Sequence, residues 1–169
     1  MGNREAWRGF TLIELLVTMS VAVILMAVAV PNLSDFLSNN RASQDVQLLA
    51  RSLMAARSEA ISRGEAVQVT ATGGNWASGW RSWVDLDGDG TEDSGETIKV
   101  IAGLESGSSL SAAQGGSTTS ALTFLADGAL VPFQAVSFEY RTSPAKCSRD
   151  RNIQINVSGH LSVSERSCP

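Results

Sequence analysis

The chain has 169 residues with 13 basic and 17 acidic side chains, a formal net charge of −4, and only 18% charged residues in all. An acidic balance gives no reason to expect non-specific affinity for nucleic acid, although it leaves room for a local basic patch. The sequence contains no phosphate-binding glycine loop, no nucleophile elbow and no zinc-ligand spacing, so nothing in it points to catalysis.

Residues 1–9 are polar and carry Arg4, Arg8 and Glu5. Residues 10–30 then hold a single charge, Glu14, among Leu, Ile, Val, Met and Ala. These 21 residues, at about 1.5 Å rise each, match a hydrocarbon core of roughly 30 Å. Arg4 and Arg8 would hold the N-terminus in the cytoplasm and send the body of the chain across. A signal peptide has a shorter apolar run, about 7–15 residues, and a small-residue cleavage site. Ala27-Val28-Ala29 is a weak match to such a site, so a membrane anchor is the better reading. A carboxylate inside a membrane helix is expensive, which makes Glu14 a functional residue by expectation.

Pro31 is expected to kink the helix without ending it, because helical periodicity continues beyond it. In residues 31–64 the pattern becomes amphipathic. Val46, Leu49, Leu53, Ala56 and Ala60 recur at spacings of three and four, the stripe of a helix packed on a sheet. Gly64 after Arg63 is a helix stop.

From Val67 the period falls to two, and residues 65–169 read as a β-rich domain. Strands are expected over residues 67–72, 80–84, 97–101, 136–140, 153–157 and 161–163, with a hairpin turning at Asp127-Gly128 between residues 122–125 and 130–131. That makes six to eight antiparallel strands. Residues 103–120 hold six Ser, four Gly and two Thr, and are read as a polar, mobile loop.

Three groups of residues stand out in this body. Residues 85–96 fit the calcium-loop pattern D-x-[DN]-x-[DN]-G-x₅-E position by position. Asp85, Asp87, Asp89 and Glu96 would offer carboxylates, Thr91 its carbonyl, and Asp93 a direct or water-mediated contact. Strands rather than helices flank the stretch, so a solvated acidic turn and a calcium site both stay open. Six acidic side chains with no base expected nearby would repel one another without a cation. Cys147 and Cys168, in a body read as exported, are expected to pair. From Tyr140 onward, Arg141, Lys146, Arg149, Arg151 and Arg166 outnumber Asp150 and Glu165, a basic section. His160 has no second histidine or cysteine at ligand spacing and is read as a polar surface residue.

Gly9 followed by Phe10-Thr11-Leu12-Ile13-Glu14 resembles the class III leader of type IV pilins and type II secretion pseudopilins. The resemblance implies that a prepilin peptidase cleaves after Gly9, that Phe10 becomes the N-methylated N-terminus, and that Glu14 and Pro31 take the family's assembly positions. Glu14 would then pair with a neighbouring subunit's N-terminal ammonium when subunits leave the bilayer for a filament, which compensates two buried charges together. Residues 79–85, 124–128 and 153–159 further resemble the FimT/GspH group of minor pilins and minor pseudopilins. The implied fold is α+β, the type IV pilin fold: a long N-terminal helix, hydrophobic in its first half, packed on an antiparallel β-sheet domain. The implied protein is not an enzyme. It is a single-pass protein of the bacterial inner membrane with a periplasmic C-terminal domain. Its implied partners are other minor pilins or pseudopilins and an assembly platform, and it enters a pilus or pseudopilus. Some FimT-type relatives resemble DNA receptors that use a C-terminal Gly-Arg-x-Arg motif. Here the corresponding residues are Gly159-His160-Leu161-Ser162, without either arginine. Arg149, Arg151 and Arg166 lie near in sequence, but phosphate contacts need cationic side chains in place, so the departure argues against a nucleic-acid partner.

Overall fold

The computed structural model describes residues 10–104, 107–143 and 145–168, the side chains at positions 28, 31 and 32 excepted. The chain divides into two compact units, one up to Ser38 and one from Asn39 onward. One helix, α1 (Leu12–Arg63), contributes to both.

Helix α1 begins where the sequence supplies a cap. Thr11 Oγ1 accepts the Glu14 N–H at 3.3 Å, and the Thr11 carbonyl accepts the Leu15 N–H at 3.2 Å. Glu14 thereby sits in the first turn, near the positive end of the helix. Helical backbone continues through position 31. Among the described residues no helical run is long and apolar enough to count as a membrane span.

In the second unit α1 buries Ala42, Val46, Leu49, Leu53, Ala56 and Ala60, the predicted stripe with one more turn at its start. Burying a leucine such as Leu53 contributes roughly 2 kcal/mol. The helix ends as expected: Gly64 adopts φ +71° and its N–H bonds the Ala60 carbonyl at 3.0 Å.

Among the described residues ten strands follow: β1 (Val67–Ala71), β2 (Gly79–Trp83), β3 (Thr97–Ala102), β4 (Ser109–Gln114), β5 (Ser117–Thr118), β6 (Ala121–Phe124), β7 (Leu130–Val131), β8 (Val136–Arg141), β9 (Arg151–Ile155) and β10 (Leu161–Glu165). They form two antiparallel five-stranded sheets, in the orders β3-β2-β1-β6-β7 and β10-β9-β8-β4-β5. Alternate residues such as Val67 and Val69, or Val136, Phe138 and Tyr140, enter one core with the helix stripe. Trp80 Nε1 reaches from the first sheet to Ser52 Oγ at 2.8 Å, and Tyr140 Oη from the second to Asp45 at 2.8 Å, so polar contacts tie each sheet to α1.

Two expectations need correction. The described residues of the body hold ten strands rather than six to eight, because β4 and β5 lie inside the stretch expected to be a loop. Their period is visible in Ser109-Leu110-Ser111-Ala112, where Leu110 and Ala112 are buried and the serines are exposed. Serine supplies the solvent face, so composition alone suggested a loop while the alternation encoded a strand.

Candidate functional sites

In the first unit the geometry is that of a helix without a covered face. Phe10 is 82% exposed, and Leu12, Ile13, Leu16, Ile24 and Leu25 are all exposed. Glu14 is exposed among them. Contiguous apolar surface on this scale requires lipid or other subunits to cover it. Gly9, the expected cleavage position, and the side chain of Pro31 lie outside the described residues.

The acidic loop joins β2 to β3, as its flanking strands predicted. Asp85, Asp87 and Asp89 each place a carboxylate oxygen within 4.8 Å of the others. Their free geometry is fixed by the loop's own backbone. Asp85 accepts from the N–H groups of Gly88 and Gly90 at 2.8 and 3.0 Å, and Asp89 accepts from the N–H and hydroxyl of Thr91 at 2.7 and 2.6 Å. Those Thr91 hydrogen bonds hold the Asp89 carboxyl below its ordinary value. Asp93 moves the other way: the neighbouring charge of Asp89, then burial, then Asp87 and Glu96 push its carboxyl up. Glu96 stands apart from the more exposed carboxylates of the loop. It is buried, and its two oxygens accept the Leu86 and Asp93 N–H groups at 2.7 and 2.8 Å, so it closes the loop as a backbone cap. The loop also has a base after all, because Arg81 from β2 pairs with Glu92 at 3.0 Å. Arg81 stands four residues before the stretch and reaches it only through the β2–β3 pairing.

The basic section folds around one carboxylate. Cys147 and Cys168 are disulfide-bonded, with Cα atoms 5.8 Å apart, and bring the chain end back to the turn before β9. Between them Asp150 is buried, 3% exposed. It accepts from the Thr142 N–H at 3.0 Å and from Arg166 Nη1 at 3.0 Å, with the Arg141 guanidinium 3.9 Å away. Burial alone would raise its carboxyl. The Thr142 N–H, the Arg166 and Thr142 side-chain hydrogen bonds and the Arg141 charge outweigh that and hold it below the ordinary carboxylate value. Three of the residues considered for DNA contact, Arg149, Arg151 and Arg166, hydrogen-bond within the chain. Arg149 is buried and donates from Nε to Asn39 at 2.6 Å, Arg151 donates to the Ser148 and Asp150 carbonyls at 2.9 Å, and Arg166 holds Asp150. His160 is exposed, with its backbone N–H bonded to Asn156 Oδ1 at 2.8 Å.

With a long capped helix, two antiparallel sheets and a disulfide-closed end in place, the comparison with known proteins is decisive. The family profile described as type II transport protein GspH matches residues 45–159, well over half of the chain. This chain belongs to the GspH family. A second profile, the prokaryotic N-terminal methylation motif, matches residues 8–30. A fimbrial protein of Pseudomonas aeruginosa is 29% identical over 119 residues, spanning 64% of this chain and 77% of that relative. Among solved structures, the type IV minor pilin FimU of Pseudomonas aeruginosa matches with a TM-score of 0.62 at 25% identity, over 76% of this chain and 92% of that one. The minor pseudopilin EpsH of the Vibrio cholerae type 2 secretion system matches with a TM-score of 0.57 at 14% identity, over 74% and 97%, and shares the fold. The fold is thus the type IV pilin fold, and the protein is a structural pilin or pseudopilin subunit rather than an enzyme. The methylation motif and these relatives mark it as membrane-anchored and pilus-associated.

In this GspH-family body Arg57 holds a structural position that the sequence reading placed off the buried stripe, and it accounts for the glycines of two turns. Arg57, on α1, donates from Nε to the Gly128 carbonyl and from Nη2 to the Ser158 carbonyl, both at 3.0 Å. It holds the β6–β7 turn of one sheet against the β9–β10 turn of the other. A Cβ on Gly159, which sits at φ +78°, would collide with the Gly128 carbonyl oxygen and lie 2.5 Å from Arg57 Nε. The glycines of both turns leave room for the guanidinium. A signal was present: Arg57 falls four residues after Leu53 and three before Ala60, on the buried side of the helix.

Proposed function

We propose that this protein is a minor pilin that primes or caps assembly of a type IV pilus and so supports adhesion, twitching motility or DNA uptake. The observation that carries the reading is the likeness to the minor pilin FimU, which spans 92% of that chain at 25% identity. The likeness to a secretion pseudopilin, at 14% identity, speaks to fold alone. In the proposed cycle a prepilin peptidase cuts after Gly9 and Phe10 is N-methylated. Residues 10–30 cross the inner membrane, with the second unit in the periplasm. On assembly the exposed apolar helix passes from lipid to the filament, and Glu14 meets a neighbour's N-terminal ammonium. The acidic loop is proposed to take a calcium ion through Asp85, Asp87 and Asp89, whose oxygens already converge within 4.8 Å. Thr91 and Asp93 would contribute from the same loop. The internal employment of Arg149, Arg151 and Arg166 gives no support to a DNA receptor.

An in-frame deletion tests the assembly role. Loss of surface pili and twitching with intact secretion of type II substrates is expected. Intact pili with lost secretion would assign the chain to the secretion machine instead, and intact pili with lost transformation would assign it to DNA capture. Mass analysis of the mature protein tests processing, with a methylated Phe10 N-terminus as the expected result.

A further inference from the structure

We propose that the open edge of β3, with the groove between it and α1, is a docking site for an extended, carboxylate-bearing segment of another protein, which adds to the first sheet as a further strand. The surface stands independently of whether the subunit serves a pilus or a secretion machine.

Among the described residues β3 pairs only with β2, so its outer row of N–H and C=O groups is unpaired. A six-residue edge of this kind is a template for another strand. Val100 on this strand is 66% exposed. Beside the edge runs a groove of about 660 Å³, walled on the helix by Arg41, Leu48 and Arg51 and on the strand by Val100 and Ile101. A second hollow of about 250 Å³ meets it at Ile101 and includes Lys99. The site is therefore apolar at Leu48, Val100 and Ile101 and cationic at Arg41, Arg51 and Lys99.

The charge of the walls selects the occupant. Two carboxylates share the lining: Glu59 is paired with Arg63 at 2.8 Å, while Asp45, which accepts from the Tyr140 hydroxyl at 2.8 Å, keeps its charge and is outnumbered by Arg41, Arg51 and Lys99. Arg51 makes a neutral contact, to Gln47 at 2.9 Å. The groove thus presents positive charge to whatever enters. Lysine on an edge strand discourages strand addition in general, and a carboxylate on the incoming strand would relieve that opposition at Lys99. A second copy of this chain would bring its own Lys99, Arg41 and Arg51 against the same groups, so self-pairing through β3 is opposed by like charges. A segment alternating carboxylate and apolar side chains satisfies both features: its backbone pairs with β3, its carboxylates face α1 and meet Arg41, Arg51 and Lys99, and its apolar residues lie on the other face beside Val100.

The test uses the full chain in detergent and three capped six-residue peptides: alternating glutamate and valine, alternating lysine and valine, and the glutamate peptide N-methylated at every residue. The glutamate peptide should bind at least about tenfold more tightly than the lysine peptide and weaken as salt rises. The N-methylated form, which cannot donate to the edge, should lose binding. Hydrogen exchange should slow at residues 97–102 when the glutamate peptide is bound. R41E/R51E, two exposed positions, should cost about tenfold or more in affinity. The salt dependence of the unmodified chain gives the same reading if that variant fails to fold. Absence of binding at millimolar peptide, equal affinity for the lysine peptide, binding without protection of residues 97–102, or salt-insensitive self-association protecting that strand would each overturn the proposal.

Discussion

Asp150 in the basic C-terminal section and Asp93 in the acidic loop share the ordinary carboxylate value of 3.8 and depart from it in opposite directions. The burial of Asp150 is more than offset by hydrogen bonds from Thr142 and Arg166 and by the charge of Arg141. Asp93 faces Asp89, Asp87 and Glu96. One region is built around a carboxylate that the fold needs ionised, the other around carboxylates that the fold merely tolerates. The first is also closed covalently by Cys147–Cys168, while the second is held by hydrogen bonds to its own backbone. A constraint removed from the C-terminal section should therefore cost more than the matching change in the loop.

Glycine substitution breaks or sharpens that contrast most directly. Gly159 and Gly88 have nearly the same backbone, φ +78° and +80°, but Gly159 is hemmed in by Gly128 and Arg57 while Gly88 has open space. Gly88→Ala should cost only the left-handed backbone penalty, about 1–2 kcal/mol. Gly159→Ala adds overpacking to the same penalty, for about 3–4 kcal/mol in all. Urea denaturation of both variants measures the difference, and equal losses would mean that Arg57 yields freely and does not lock the two turns.

Next in size is the disulfide. It spans 21 residues, and replacing both cysteines by serine should cost about 3 kcal/mol in the loop-entropy model. The loss should appear as a lower melting temperature without a change in the fold seen by far-ultraviolet circular dichroism. A double variant as stable as the parent would show that the arginine network around Asp150 closes the section by itself. Asp150→Asn is the complementary cut. It keeps the size of the side chain but removes the charge that Arg166 and Arg141 face, and should cost about 2 kcal/mol.

The contrast also marks what could be read in advance. The unbroken apolar run of residues 10–30, the periodic stripe from Val46 to Ala60 and the Gly64 stop are local signals that do not depend on distant partners, and the helix follows them. The cysteine pair was legible because two thiols in an exported body have one pairing. The polar centres were not. Asp150 gains its partners from Thr142 and Arg166, eight and sixteen residues away, across strand pairings that no local pattern specifies. The calcium-loop spacing was read correctly as a spacing, yet it could not show that Glu96 turns inward onto the Leu86 and Asp93 N–H groups. Spacing records which residues can meet, and the fold decides which hydrogen bonds they keep.

The smallest expected effect distinguishes a solvated turn from a calcium loop. The Asp150 carboxyl lies below 3.8 in the folded chain, so its stabilising contribution is present above that value and is lost as pH falls through its folded value. The Asp93 carboxyl lies above 3.8, so its contribution is complete below 3.8 and is lost as pH rises through its folded value. Carboxyl-carbon NMR of the folded protein should therefore show Asp150 titrating below, and Asp93 above, an unstructured aspartate. Calcium held by Asp85, Asp87 and Asp89 would cancel the charges that raise Asp93 and bring its midpoint back down. Asp150, whose partners are Thr142, Arg141 and Arg166, would stay where it is. Calcium should also raise the melting temperature, by an amount that grows with the logarithm of the calcium concentration once it exceeds the dissociation constant. If millimolar calcium moves neither the Asp93 midpoint nor the melting temperature, the three converging carboxylates are a hydrogen-bonded turn and nothing more. The loop's tolerance of charge must then come from water and from Arg81 on Glu92.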